Sequence, residues 1–207
     1  QTELVEALTD LRSPVDGTIT FLGSDITKAS TRQRHALGIA HVPEDRQRSG
    51  LIETFDIAEN IVLDSYYDEP YSTGIRLHWP VVHEAAARIV TDFDVRTSSI
   101  FELADHLSGG NQQKLVVARE MSRNIRFLIA SQPTRGVDVG SIEYIHKRIV
   151  EARDAGVGIL IISTELDEIR GLSDRILVMF RGRIVAEFDA ATATVQELGL
   201  AMAGATA

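Results

Sequence analysis

Apolar residues in this chain follow two patterns, one with helical spacing and one with short, mainly apolar segments. Leu4, Leu8 and Leu11 fall on one face of a helix. Mainly apolar segments occur at 125–130 and 158–163, and segments of this length are typical of strands buried in the interior of a sheet. The chain therefore contains both amphipathic helices and buried strands.

The two patterns alternate along the chain, which indicates an α/β fold with a parallel sheet covered by helices on both faces. In such sheets, ligands bind at the carboxyl ends of the strands. Loops at 43–46, 131–135 and 163–165 each follow a predicted strand, so we expect them to converge at one edge. The pattern predicts helices at 4–11, 57–63, 79–93, 112–124, 141–155, 165–172 and 195–202, and strands at 18–22, 38–43, 125–130, 158–163, 176–180 and 183–188.

The middle of the chain, 55–106, is predicted to be a mostly helical insert between α/β portions at 1–54 and 107–207. Asp56 precedes the first helix of the insert and is its predicted cap. Residues 64–74 are predicted to be a loop, because proline and glycine interrupt the pattern. We expect the helical subdomain to extend through the helix at 110–123.

Composition excludes several classes of protein. With 207 residues and 25% charged side chains, the chain fits one soluble domain with a subdomain. A formal net charge of −9 argues against a broad nucleic-acid-binding surface. The absence of cysteine excludes disulfides and thiolate metal sites, and the six histidines lack the spacing of a metal site. No apolar run approaches the ~20 residues of a membrane span.

Ser108-Gly109-Gly110 stands before the helix at 112–124 and has two interpretations. A helix N-terminus offers unpaired N–H groups and a positive dipole end, and glycines allow an anion to approach the backbone closely. The simpler interpretation is a capped helix, with Ser108 as N-cap and the glycines as a loop. These residues alone leave both interpretations open.

Residues 107–114, Leu-Ser-Gly-Gly-Asn-Gln-Gln-Lys, resemble the signature motif of ABC transporter ATPases. They are most similar to the second, C-terminal nucleotide-binding half of the tandem ATPases that serve simple-sugar and nucleoside importers. The resemblance extends over 1–190. Further segments in the family's order are 1–4 (tail of a P-loop), 42–46 (Q-loop), 56–60 (start of the helical subdomain), 127–132 (Walker B), 133–138 (D-loop) and 162–166 (switch segment).

The resemblance implies the fold of a P-loop NTPase core, here lacking its N-terminal β part, and a chain trimmed within the P-loop. It also implies two ATPase halves paired head to tail, with ATP and Mg²⁺ as cofactors. Ser108, Gly109 and Gly110 would then contact the γ-phosphate of an ATP held mainly by the partner half, with Gln112 close by. Asp138 in the D-loop would reach across the pair; its alternative role is to cap the helix at 141–155.

The family further implies partners and a location. Residues 55–106 would meet membrane permease subunits, with a solute-binding protein engaged indirectly. The chain would lie in the cytoplasm, on the inner face of the cell membrane. Trp79 and the pair Tyr66-Tyr67 are candidates for the docking surface, although aromatic residues there are as often core.

The chain departs from the family pattern where the phosphates and the metal would bind. Gln1 stands at the P-loop lysine position, so a positive charge on the phosphates is missing, while Thr2 keeps the hydroxyl that binds Mg²⁺. Ser131 replaces the Walker B aspartate and supplies no charge to the metal. The resemblance therefore implies that this half binds its own nucleotide weakly or statically.

The positions that match the family's catalytic residues also depart from the family pattern, in a way that weakens catalysis. Gln132 replaces the glutamate that polarises the attacking water, and an amide is a poor proton acceptor. Thr164 replaces the switch histidine, and Glu44 replaces the Q-loop glutamine, where its carboxylate could reach a metal-bound water. We expect little or no ATP hydrolysis by this half alone. The family is nevertheless one of ATP hydrolases.

Alternative interpretations remain for the charged residues and for the function. Glu44 and Asp45 could instead pair with Arg46 and Arg48 at the surface. Arg135 could contact a phosphate or the partner, or it could pair with Glu165 or Asp138, and the acids at 165–168 are expected to form a solvated face. Functional alternatives are an independently active ABC ATPase homodimer and a soluble ABC-type scaffold or nucleic-acid ATPase.

Overall fold

The computed structural model of the protein describes residues 1–204; residues 205–207, at the end of the predicted α/β portion, lie outside the described part. Its central sheet contains β3 (Ile39–Val42), β6 (Phe127–Ser131) and β7 (Gly158–Ile162), in the order β3-β6-β7. Both pairs are parallel. The predicted α/β fold class is therefore confirmed.

Helices and hairpins surround this sheet. The helices are α1 (Thr2–Thr9), α2 (Thr31–Ala36), α3 (Ile57–Ile61), α4 (Trp79–Asp92), α5 (Gly109–Met121), α6 (Val139–Asp154), α7 (Leu166–Leu172) and α8 (Val195–Met202). Antiparallel pairs are formed by β1 (Thr20–Phe21) with β2 (Ser24–Asp25), β4 (Ser72–Thr73) with β5 (Arg76–Leu77), and β8 (Arg175–Phe180) with β9 (Arg183–Asp189).

Alternate residues of the strands enter different apolar clusters, as expected when helices cover both faces of a sheet. Leu128 and Ala130 of β6 pack in the larger cluster with α3, α4, α5 and α6. Ile129, between them, packs in a second cluster with Val5 of α1 and Ile26. A third cluster joins the β8–β9 hairpin to α8.

The insert has no separate apolar core within the described residues. Buried side chains of α3 and α4, such as Ile57 and Val82, belong to the same cluster as Leu115 of α5 and Leu128 of the sheet. The Asp56 carboxylate accepts from the Glu59 N–H at 2.8 Å, and Glu59 accepts from the Asp56 N–H at 3.0 Å, which confirms the predicted cap. The boundaries at 55 and 106 remain an interpretation.

Local structure differs from the predictions where side chains cap the backbone. The charged segment that begins in the predicted 43–46 loop contains a π-helical turn, Arg46–Gly50, which we call the 46–50 turn. The Asp45 carboxylate caps it by accepting from the N–H groups of Gln47 and Arg48, an arrangement that apolar spacing does not reveal. The predicted 64–74 loop ends in the β4–β5 hairpin, and the predicted strand at 18–22 is shortened to β1.

No helix within residues 1–204 is long and apolar enough to cross a membrane.

Candidate functional site

Ser108 forms the N-cap of α5 and remains exposed to solvent. Its Oγ accepts from Asn111 Nδ2 at 3.0 Å and from the Asn111 N–H at 3.4 Å. The structure therefore confirms that Ser108 caps α5. It does not exclude an anion site, because α5 has 13 residues and keeps a positive dipole end beside Ser108.

The two glycines after Ser108 allow close approach by other segments of the same chain. An ideal Cβ on Gly109 would lie 2.7 Å from Nη2 of Arg46. A Cβ on Gly110, which is buried, would collide with the side chains of Asp138 and Ser141. The glycines are therefore needed for packing inside this chain, whatever they contact outside it.

Asp138 caps α6 as the alternative interpretation proposed. Its Oδ1 accepts from the Ser141 N–H at 3.0 Å and its Oδ2 from Ser141 Oγ at 2.8 Å. These bonds, the hydroxyl first, lower the pKa of the Asp138 carboxyl below its usual value. The same carboxylate lies against Gly110, so the D-loop segment, 133–138, packs on the turn Ser108-Gly109-Gly110, which we call the signature turn.

Gln112 has only 3% of its surface exposed, and its side chain points into the interior. Nε2 donates to the Ala104 carbonyl at 3.0 Å, while Oε1 accepts from Arg46 Nε at 3.4 Å. Sequence reasoning expected Gln112 near a phosphate. Its amide bonds within the chain, and contact of Gln112 with a phosphate stays a prediction.

The loops after β3, β6 and β7 converge, as predicted, around a cleft of about 640 Å³. Glu44, Gln132 and Thr164 all line this strand-end cleft. Oε1 of Gln132 lies 3.4 Å from both the backbone N and the Oγ1 of Thr164, so the two side chains form a neutral hydrogen-bonded pair. Gln132 adopts a left-handed conformation, with φ of 49°, which turns its side chain toward Thr164.

The Glu44 carboxylate pairs with Arg135, whose Nη1 lies 2.6 Å from Glu44 Oε1. This corrects the alternatives that placed Glu44 with Arg46 or Arg48, and Arg135 with Glu165 or Asp138. Both side chains are largely exposed, so we expect the pair to add little stability.

Ser131 ends β6 in the interior, with 6% of its surface exposed. Its Oγ has no hydrogen-bond partner within residues 1–204. Ser131 offers a metal only a neutral hydroxyl, and the Glu44 carboxylate already pairs with Arg135, whereas Mg²⁺ prefers carboxylate and phosphate oxygens. These residues do not fit a resident Mg²⁺ site, and the described residues contain no group of His, Asp and Glu side chains arranged for a metal ion.

Thr2 lies in the first turn of α1, with Gln1 as the N-cap, and both residues are exposed. Thr2 does not line the strand-end cleft, and its side chain makes no hydrogen bond in the part of the chain that the structure describes. The structure therefore brings together Glu44, Gln132 and Thr164 but not Thr2.

Sequence reasoning missed a buried polar cluster beside the strand-end cleft. Oε1 of Glu168 accepts from Thr134 Oγ1 at 2.7 Å and lies 2.8 Å from Nε2 of His146. Glu168 has 5% of its surface exposed, so the prediction of a solvated acidic face was wrong at this position. The three residues come from different elements, and no spacing in the sequence links them.

Aromatic side chains remain exposed on the insert. Trp79 is 41% exposed and Phe101 58% exposed, and the ring of His83 lies between them, with centroids 5.7 Å and 4.9 Å away. Tyr66 is 50% exposed and meets the edge of Tyr67. Tyr66, Trp79 and Phe101 are therefore not buried in the core.

Comparison with known proteins places this geometry in context. The family profile described as ABC transporter matches residues 1–135. The guanosine import ATP-binding protein NupO of Bacillus subtilis strain 168 is 50% identical over 206 residues, which are 100% of this chain and 40% of that protein. The nucleoside import ATP-binding protein NupA of Lactococcus lactis subsp. cremoris strain MG1363 is 48% identical over 204 residues, 99% of this chain and 40% of that protein.

A third relative, the glucose import ATP-binding protein TsgD13 of Haloferax volcanii, is 40% identical over 208 residues, 99% of this chain and 38% of that protein. The chain thus spans about two fifths of the length of these relatives.

Solved structures show the same fold at low identity. A dimeric post-hydrolysis ATP-binding cassette bound to ADP and Pi, MJ0796, superposes with a TM-score of 0.76 and 18% identity, covering 91% of this chain and 80% of that one. The ADP conformation of the cassette MJ1267 gives a TM-score of 0.73 and 22% identity, over 98% and 79% of the two chains.

Proposed function

The chain belongs to the ABC transporter family of ATP-binding domains, and from this premise we propose that it is a nucleotide-binding domain of a nucleoside importer. Relatives at 50% and 48% identity are named for guanosine and nucleoside import, whereas the glucose importer is 40% identical. This order favours a nucleoside over a simple sugar as the transported solute. ATP would supply the energy.

The observation that carries the proposal is the packed turn Ser108-Gly109-Gly110 at the start of a 13-residue helix. An exposed hydroxyl and backbone N–H groups at a positive helix end suit the terminal phosphate of ATP. That ATP would be held mainly by a partner nucleotide-binding half. Loss of the phosphate on hydrolysis would remove these contacts and let the halves separate.

The chain's own nucleotide site would then be degenerate and would belong to the second half of a tandem protein. Gln132 and Thr164 are neutral and bond to each other, and Glu44 pairs with Arg135, so none of these three side chains offers an unpaired carboxylate to an attacking water. In this proposal Thr2 offers its exposed hydroxyl to a phosphate of that nucleotide. Asp138 contacts the partner half from the edge of the signature turn.

The insert, 55–106, would meet the membrane permease subunits on the cytoplasmic side, and through them a solute-binding protein. Its exposed Trp79 and Phe101, with the half-buried His83 between them, form a continuous aromatic surface of the kind enriched at protein interfaces. The division into a core of 1–54 and 107–207 and an insert continued by α5 follows the same assignment.

Ser108→Arg in the full-length protein, assembled with its membrane subunits in vesicles, tests this proposal. We expect ATP turnover and nucleoside uptake to fall at least about a hundredfold, because a bulky cation replaces a phosphate-contacting hydroxyl. Ser30→Arg is the matched control, because Ser30 is also an exposed N-cap serine, on α2. Both variants should lose about 1 kcal/mol of folding stability.

Turnover of Ser108→Arg equal to that of Ser30→Arg would refute the role of the signature turn. Uptake of a sugar rather than a nucleoside by the unaltered complex would leave that role intact and correct the solute.

A further inference from the structure

We propose that Arg46 is a positioning residue that fastens the signature turn to the D-loop segment of the same chain; this inference rests on the proposed function. Arg46 begins the 46–50 turn, directly after the strand β3 and its loop. It does not belong to the set of phosphate contacts proposed above. Its role is to hold the groups that make them.

The guanidinium of Arg46 joins parts of the chain that are distant in sequence. Nη1 donates to the Arg135 carbonyl at 3.0 Å, and Nη2 to the Gly136 carbonyl at 3.5 Å. Nε donates to Oε1 of Gln112 at 3.4 Å, within α5. One planar side chain therefore fixes the D-loop backbone relative to the helix that carries the signature.

The same guanidinium lies against Gly109, where a Cβ would be only 2.7 Å from Nη2. Within residues 1–204 no carboxylate lies within ion-pair distance of Arg46. Its orientation is thus set by backbone carbonyls and an amide, which match the fixed fork of arginine donors. Lysine, a single point of charge on a flexible stem, cannot satisfy these acceptors together.

The far end of the 46–50 turn is held by α5 as well. Nη1 of Arg119 donates to the Gly50 carbonyl at 2.7 Å in a buried bond, and a Cβ on Gly50 would lie 3.0 Å from Val116. From Gln112 to Arg119 is about two helical turns. The 46–50 turn therefore lies along α5 and is attached to it at both ends, so turn and helix form one unit.

Arg46 links this unit to the D-loop segment, which also contacts the strand-end cleft. Arg135, whose carbonyl Arg46 holds, also pairs through its side chain with Glu44 at the strand-end cleft. Asp138 in the same segment packs against Gly110. Through these contacts a displacement of the loops at the strand-end cleft would also move the signature turn. Arg46 fixes the position of the signature turn relative to the D-loop segment.

Arg46→Gln and Arg46→Lys in the full-length, membrane-assembled protein test the inference, with Arg48→Gln as control. Arg48 lies in the same turn, and its side chain makes no hydrogen bond or ion pair in the described part of the chain. We expect both Arg46 variants to lower kcat for ATP by about tenfold to a hundredfold, as a small misplacement of contacting groups does, with KM nearly unchanged. Arg48→Gln should keep the parental kcat.

Amide hydrogen exchange separates positioning from general instability. In Arg46→Gln, amides at 109–112 and 135–138 should exchange about tenfold faster, while those of β3 and β6 keep their parental rates. If Arg46→Gln folds poorly, Arg46→Lys, which keeps the charge, carries the same test.

Parental kcat in Arg46→Lys, or equal losses in the Arg46 and Arg48 variants, would overturn the inference. So would faster exchange throughout the sheet. Loss of turnover in Ser108→Arg with none in Arg46→Gln would overturn this inference alone, whereas unaffected turnover in Ser108→Arg would overturn the proposed function itself.

Discussion

The signature turn and the strand-end cleft are built from different parts of the chain. The turn uses a cap hydroxyl, backbone N–H groups and two glycines held against Arg46, Asp138 and Ser141. The cleft depends on side chains that follow each strand, and there Gln132 and Thr164 stand where the resemblance predicts a carboxylate and a histidine.

This difference explains how one region can keep its chemistry while the other changes. Oε1 of Gln132 lies 3.4 Å from Oγ1 of Thr164, so two neutral side chains hold the loops after β6 and β7 together. At Gly110 a single added carbon would collide with two neighbouring side chains. Chemistry carried by the backbone is protected by packing, whereas chemistry carried by side chains can be replaced one residue at a time.

Gly110→Ala should have the largest effect on stability and turnover, because its Cβ would collide with Ser141 and Asp138. We expect a loss of about 1–3 kcal/mol in the free energy of unfolding, as for other overpacked sites, and a fall in transporter turnover of at least about a hundredfold. Chemical denaturation and an ATPase assay measure the two effects. Gly171→Ala is the control, since a Cβ there meets nothing within 4 Å and alanine favours the helix. Equal stability of the two variants would mean that packing does not protect the turn.

Acid should weaken the strand-end region through His41 on β3, which leads into the cleft. Burial, aided by the charge of Arg119, lowers the pKa of His41 to about 4. Its backbone N–H bonds to Glu120, and its Nε2 has no partner within the described residues. The folded pKa lies below the unfolded value of about 6.5, so the unfolded chain binds the proton first.

His41 therefore contributes fully above pH 6.5, and its contribution is lost as the pH falls toward 4, by roughly 1 kcal/mol per pH unit. Urea unfolding at pH 7.5, 6.5 and 5.5 should show a flatter profile for His41→Gln than for the parent. His106→Gln, an exposed histidine, should keep the parental slope. Parallel profiles for all three proteins would contradict a buried neutral His41.

Gln132→Glu should have the smallest effect on ATP turnover, and it tests whether the strand-end cleft lacks more than one catalytic group. The new carboxylate can still accept from Thr164, but Ser131 gives no charge to a metal and Glu44 remains paired with Arg135. We expect turnover at this chain's own site to change by less than about threefold, well below the 10² to 10⁴ of effective acid–base catalysis. The measurement uses a full-length protein in which the other site is silenced. An increase of tenfold or more would show that the cleft is a competent site lacking one group.

Sequence patterns predicted the features that depend on neighbouring residues. The apolar segments identified β6 and β7, and Asp56 and Ser108 were predicted as caps from their places directly before a helical stretch. The convergence of the strand-end loops followed from the parallel sheet alone.

The features that were missed depend on tertiary placement. Arg46 bonds to carbonyls about 90 residues away, and Glu168 is buried because Thr134 and His146 come from other elements to meet it. A charged residue in a polar segment has the same appearance in sequence whether it is solvated or buried. Only the packing of the elements distinguishes the two.

The apolar cluster shared by the insert and the sheet has a consequence for folding. Ile57, Val82, Leu115 and Leu128 lie in one continuous core, so melting of the insert would expose one face of the sheet. We expect residues 55–106 and the strands β3 and β6 to unfold in a single cooperative transition. We therefore expect the insert, which would contact the membrane subunits, also to determine the temperature at which the nucleotide-binding core unfolds.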